Sequence, residues 1–164
     1  MIHPLVPFAI RGAVWYQGES NRGQGMRYHE LQSALIEGWR SQWHYGEFPF
    51  YFVQIAPWQY GNEDIDILPQ FWQAQRKCLD IPLTGMAVIS DIGEVADIHP
   101  AHKKEVARRL SLWALAKTYG HKEIDPNGPL YAGHAIEGGT IRVKFDHAAS
   151  GLASRDGKPL THFE

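Results

Sequence analysis

The sequence predicts an α/β domain built on a parallel sheet, and two observations carry that prediction. Three short apolar runs, at 12–16, 50–55 and 85–89, are continuous rather than alternating. Such runs suit strands buried on both faces. Between and after them, apolar residues recur at spacings of three and four, the period of helices that cover such a sheet.

Taken in order, Gly12-Ala13-Val14-Trp15-Tyr16 reads as a first buried strand, followed by a polar loop from Gln17 and Gly18. Tyr28, Leu31, Leu35 and Trp39 then mark one face of a helix. Gly46 and Pro49 bound the second strand, Phe50-Tyr51-Phe52-Val53-Gln54-Ile55, which is aromatic and β-branched. Phe71, Ala74, Gln75 and Cys78 predict a second helix, entered near Pro69. Gly85-Met86-Ala87-Val88-Ile89 is the third strand, closed by Ser90-Asp91. A third helix is expected from Pro100, a residue suited to a first helical position. Its apolar stripe is Val106, Leu110, Trp113 and Ala114, with Lys117 in the last turn and Gly120 as a left-handed stop.

The character changes at Asp125-Pro126-Asn127-Gly128-Pro129, a strong breaker. Thr140-Ile141-Arg142-Val143-Lys144-Phe145 then alternates apolar and polar, as a half-exposed antiparallel strand does. The expected organisation is a hydrolase-type α/β portion over 1–124, then a linker and the start of a β-rich appendage over 125–164. Both ends, from Met1-Ile2-His3-Pro4 to Thr161-His162-Phe163-Glu164, read as cuts from something longer.

Composition narrows the partners. The chain has 164 residues, 44% of them hydrophobic and 21% charged, which is ordinary for a globular domain. With 16 basic and 18 acidic residues its formal net charge is -2. That balance gives no basic surface of the kind that binds nucleic acid. No apolar run is long enough to cross a bilayer, so no membrane partner is expected. The single cysteine, Cys78, has no internal disulfide partner. Compartment stays open, a secreted or periplasmic setting being compatible.

In an open parallel sheet, ligands bind beyond the carboxyl ends of the strands. The first strand leads into Gln17, Gly18, Glu19, Ser20 and Asn21; the second into Gln54, Pro57 and Trp58; the third into Asp91, Glu94, Asp97 and His99. His99 is the candidate general base, because a loop histidine at that edge can take a proton from a serine hydroxyl. His102 is expected to be solvated. A metal reading of His99, His102 and Glu105 matches no strong zinc signature. Ser20 has Gly18 two residues before it, but Arg22 where an elbow nucleophile wants glycine. Gln17 is a candidate oxyanion donor through its side-chain amide, with Glu19 orienting neighbours or meeting sugar hydroxyls. A loop that only caps the next helix through Ser20 or Asn21 is the plainer alternative.

Two blocks add a resemblance. Trp15-Tyr16-Gln17-Gly18-Glu19-Ser20-Asn21 resembles a signature of the sialate O-acetylesterase family, a carbohydrate-esterase branch of the SGNH hydrolases. Asp97-Ile98-His99-Pro100, with Lys103 and the Arg108-Arg109-Leu110 region, resembles that family's catalytic-histidine block. The stretches 48–54 and 86–88 fit in the same order. The resemblance implies a three-layer α/β/α, flavodoxin-like domain, here cut at both ends. It implies a serine hydrolase that removes O-acetyl groups from sugars or glycans with no metal or organic cofactor. His99 takes the role of base, and Gln17 falls where an oxyanion asparagine does, beside Gly18 and Glu19. The family's nucleophile belongs to a block upstream of Met1, so the fragment alone is expected to be inactive, with Ser20 in the wrong block.

Many such enzymes place Asp three residues before the histidine; here that position is Ala96, and Asp97 is two before. The orienting role is therefore open to Asp97, Glu94, Asp91 or a backbone carbonyl. A sugar acid would need a cation, for which Arg11 and Arg22 are candidates. The rival reading is a non-catalytic sugar-binding module using Trp58. A sheet cut at its first strands exposes an apolar edge, so self-association or a complementing chain is expected there.

Overall fold

A computed structural model describes residues 2–99, 101–154 and 156–159. The expectations at Pro100 and at the carboxyl terminus therefore fall outside the described residues. The chain divides into two compact units, Met1–Ile124 and Asp125–Glu164.

The first unit is an α/β/α sandwich. Its sheet has three parallel strands in the order β1-β2-β3: β1 (Ala13–Trp15), β2 (Phe50–Val53) and β3 (Thr84–Ala87). Two helices, α1 (Arg27–Trp43) and α2 (Ile67–Lys77), form the connections. Ala13, Trp15, Phe50, Phe52 and Met86 share one core with Tyr28 and Ile36 of α1 and Phe71 and Ala74 of α2. The opposite face carries a smaller core, in which Val53, Ile89 and Ile92 meet Val106 of α3 (Lys103–Trp113). A π turn, Ala114–Thr118, ends that helix, and Gly120 follows in the left-handed region at φ 80°.

Two expectations need correcting. The first strand is not buried on both faces, because Val14 is 67% exposed. In the sheet register Val14 pairs with Tyr51, which in turn pairs with Gly85 on β3. The Trp113 ring of α3 stacks near Tyr51, at 6.1 Å, and presses on Gly85. Thus α3 covers β2 and β3, and the matching face of β1 is bare.

The second correction concerns α1. Its buried stripe is Tyr28, Gln32, Ile36, Arg40 and Trp43, while Leu31 is 41% exposed. Of the expected face, Tyr28 is buried and Leu35 and Trp39 pack against the core, so only Leu31 is wrongly placed; apolar spacing missed Gln32 and Arg40 because they are polar. Arg40 is tolerated inside because its guanidinium donates to Phe48 O at 2.9 Å and to Pro82 O at 2.7 Å. Those two carbonyls lie on the segments that enter β2 and β3, so a buried cation ties the helix to the sheet.

In α2, Phe71, Ala74 and Gln75 are buried, and Cys78 is buried in the 3₁₀ turn that follows. Burial pushes the Cys78 thiol up to about 12. Gln75 is a polar residue kept in the core by two backbone bonds. Its Oε1 accepts from Ile55 N at 3.0 Å and its Nε2 donates to Val53 O at 3.3 Å. It closes the backbone bonds left open where β2 ends.

The second unit is a two-stranded antiparallel hairpin, β4 (Leu130–Glu137) and β5 (Thr140–Asp146), with a register shift between Tyr131 and Gly133. The alternation in β5 does not produce a half-buried strand here. Ile141 and Val143 are exposed, because within this unit a hairpin offers them no opposing layer.

Gly85 tests the sandwich. A Cβ there would lie 2.3 Å from the Trp113 ring. Gly85→Ala is expected to force the indole outward and cost about 1–3 kcal/mol, as overpacked cores do. Urea unfolding followed by tryptophan fluorescence reads this; an unchanged midpoint would show that Trp113 does not seal the α3 face.

Candidate functional site

All three strands run the same way, so their carboxyl ends share one edge. A cleft of about 430 Å³ opens near it, lined by Tyr16, Glu19, Ser20, Ile98, His99 and Lys103. All six come from the two sequence blocks already singled out: Tyr16, Glu19 and Ser20 after β1, Ile98, His99 and Lys103 around the start of α3.

Gly18 makes the first block possible. Its φ of 149° lies where side chains rarely go. An added Cβ would also stand 3.0 Å from Ile55 and Phe71. The chain thus turns sharply off β1 into a 3₁₀ segment, Glu19–Gln24. Gln17 is held at this turn from two sides. Tyr28 donates its hydroxyl to Gln17 O at 3.1 Å, and the Gln17 amide donates to Asn21 Oδ1 at 2.6 Å. Asn21 therefore does more than follow a capping loop: it fixes the direction of the Gln17 amide.

His99 is wide open, its side chain 86% exposed. Asp97 Oδ1 accepts from the His99 backbone N–H at 2.8 Å and stands 3.9 Å from Nδ1. The carboxylate thus shapes the turn that presents the imidazole and lies beside the ring. Asp91 is engaged elsewhere. It takes two bonds from Arg109, at 2.5 and 2.7 Å. Glu94 meets Asp97 through the backbone of the same loop, its carbonyl accepting from Asp97 N–H at 3.0 Å.

Arg109 was legible only as part of a family block. In the structure it binds Val88 O at 2.6 Å, Asp91, and Glu105 Oε1 at 3.1 Å. It therefore fastens the root of the loop after β3 to α3. Glu105 also takes two bonds from Arg108, at 2.7 and 2.8 Å. Those bonds hold its carboxyl down at about 2, and they deprive the His99, His102 and Glu105 metal alternative of its acid.

Arg22 is likewise occupied. It pairs with Glu63, donates to Glu19 O at 2.7 Å, and lies 3.9 Å over the Tyr60 ring. Trp58 meets Tyr60 edge-on at 4.7 Å. Nothing in the sequence pointed to Glu63, which is 41 residues from Arg22. Tyr16 and Tyr28 are both pushed up to about 12, chiefly by burial, with the Glu19 charge adding to it.

Comparisons with known proteins identify the family. The family described as carbohydrate esterase, sialic acid-specific acetylesterase, matches residues 3–117. Sialate O-acetylesterase of Mus musculus is 37% identical over 148 residues, covering 79% of this chain and 27% of the mouse protein. The Homo sapiens protein of the same name is also 37% identical, over 79% of this chain and 28% of its own length. The chain thus spans little more than a quarter of these relatives. A crystal structure of a carbohydrate acetylesterase from Xanthomonas citri superposes with a TM-score of 0.86 at 36% identity, over 96% of this chain and 37% of that one.

Two measurements probe the site's framework. Arg109→Met is expected to speed amide exchange across 88–99 while α3 stays protected; unchanged exchange would mean the loop is held by other contacts. An alkaline titration should show Tyr16 and Tyr28 ionising near 12, against an ordinary 10.0. Because the folded state favours the neutral phenols, their contribution to stability is complete below about 10 and is lost as pH rises through about 12. Tyrosinate absorbance that rises in one step near the ordinary value would overturn this.

Proposed function

Because the chain belongs to the carbohydrate esterase family of sialic acid-specific acetylesterases, we propose that it carries the base and oxyanion side of an O-acetylesterase site. The protein would remove O-acetyl groups from sugars such as sialic acid or from acetylated glycans. One observation carries the reading: His99 and the block after β1, two motifs some eighty residues apart, line a single cleft at the carboxyl edge of the sheet.

The chemistry follows from the residues. His99 accepts the proton of a serine hydroxyl, and the oxygen attacks the acetyl carbonyl. The carbonyl oxygen becomes an anion; Gln17, which stands in sequence between the lining residues Tyr16 and Glu19 without itself lining the cleft, would stabilise it with its second amide proton while Asn21 holds the first. Collapse leaves acetyl-serine, and His99 returns its proton to the departing sugar oxygen. His99 then takes a proton from water, and hydroxide attack releases acetate and restores the serine. Asp97, next to the ring, is the positioning acid. The nucleophile in this reading is a serine outside these 164 residues. Ser20 lines the same cleft but makes no hydrogen bond to His99 among the described residues. The bare face and edge of β1 at Val14 support a further strand adding there, from a second copy or a complementing chain.

In the intact protein, His99→Ala should lower acetyl-ester turnover by at least about a hundredfold, while Ser20→Ala keeps turnover within a few-fold of the unaltered protein. Unchanged turnover in His99→Ala would overturn the assignment. A burst of acyl-enzyme on Ser20 would move the nucleophile into this chain.

A further inference from the structure

The cations around the cleft are not equivalent. Arg11 precedes β1 and so lies at the amino end of the sheet, away from the cleft. Arg22 is engaged by Glu63, by Glu19 O and by the Tyr60 ring. Arg109 is engaged by Val88 O, Asp91 and Glu105, and Arg108 by Glu105. Lys103 differs from all of these. It lines the cleft beside His99, and no carboxylate of a described residue pairs with it. Its ammonium stands 5.0 Å from the centroid of the Tyr16 ring, itself a wall of the cleft.

We propose that Lys103 binds the carboxylate of an acidic sugar in this cleft, and so discriminates acidic from neutral acetylated sugars. The inference rests on the esterase reading and names the substrate feature that the site selects. The Tyr16 ring face attracts the ammonium and restrains a long side chain that would otherwise roam. Lys103 also opens α3, whose aligned peptide dipoles add positive potential at that end. Glu19 also lines the cleft. It repels a carboxylate and accepts hydrogen bonds from hydroxyls, so the carboxylate of an acidic sugar is drawn to Lys103 and its hydroxyls to Glu19. A volume of about 430 Å³ suits a ligand of monosaccharide size.

The test compares an O-acetylated sialic acid, its methyl ester and an O-acetylated neutral hexose as substrates of the intact protein. Lys103→Gln should raise KM for the free acid roughly tenfold, the scale of one charge-assisted hydrogen bond, with a smaller change in kcat. The preference for free acid over methyl ester should collapse, and Lys103→Arg should restore it. Equal losses on free acid and methyl ester would overturn the proposal, as would an undiminished preference in Lys103→Gln. Binding of unacetylated sialic acid, followed by NMR shifts at Tyr16, separates the two readings. If His99→Ala leaves turnover intact while Lys103→Gln abolishes those shifts, the base assignment fails and Lys103 stands. If the shifts persist in Lys103→Gln, Lys103 fails whatever His99 does.

Discussion

The structure of the first unit depends on burying β2 completely, on both faces and along its whole length. Phe50 and Phe52 point into the α1 and α2 layer, Tyr51 and Val53 toward α3. Four consecutive buried side chains leave no polar face to exchange with water, so helices must cover both sides. The backbone must then be satisfied internally as well. Inside the sheet the neighbouring strands do this. Past Val53 the sheet stops, and Gln75 supplies the missing donor and acceptor. A polar residue at full burial is thus the consequence of an apolar strand that ends inside the protein.

The same demand explains why chemistry collects where it does. Where the strands end, their backbone is replaced by side-chain partners, and those partners are rigidly placed. Tyr28 and Asn21 fix Gln17 after β1, Gln75 closes β2, and Arg109 caps Val88 O after β3. Each bond that finishes a strand also orients the loop leaving it. The cleft is therefore framed by residues whose first duty is structural, and the groups inside it stand on a fixed rim.

Much of this was legible because continuous apolar runs and helical spacing are strong signals. The three strands, the three helices and the shared edge of Gln17, Glu19 and His99 all follow from period and order. What failed has identifiable causes. The α1 stripe was incomplete because Gln32 and Arg40 are buried beside it, and polarity alone cannot reveal that carbonyls 8 and 42 residues away await Arg40. Val14 reads as buried because its own residues cannot say which strands α3 covers. Arg22 looked free for a ligand because its acid partner is distant in sequence. Asp97 was one of several acids near His99, and only the turn geometry sets it beside the ring. Local pattern specifies elements, whereas polar pairings across the fold decide which side chains remain available.

That last point bears on His99 itself. The segment 88–99 is held at its root by Arg109 and midway by the bond from Gln59 N to Val95 O at 2.9 Å. Its end carries an imidazole that is 86% exposed and tied to the protein through its backbone rather than its ring. An exposed imidazole keeps both nitrogens accessible to incoming groups, and it gains little of the desolvation that strengthens electrostatics in closed sites. A group entering the cleft therefore meets the imidazole directly. The loop is held at its root and open at its tip. The fold determines where His99 stands, and it leaves the ring facing whatever occupies the cleft.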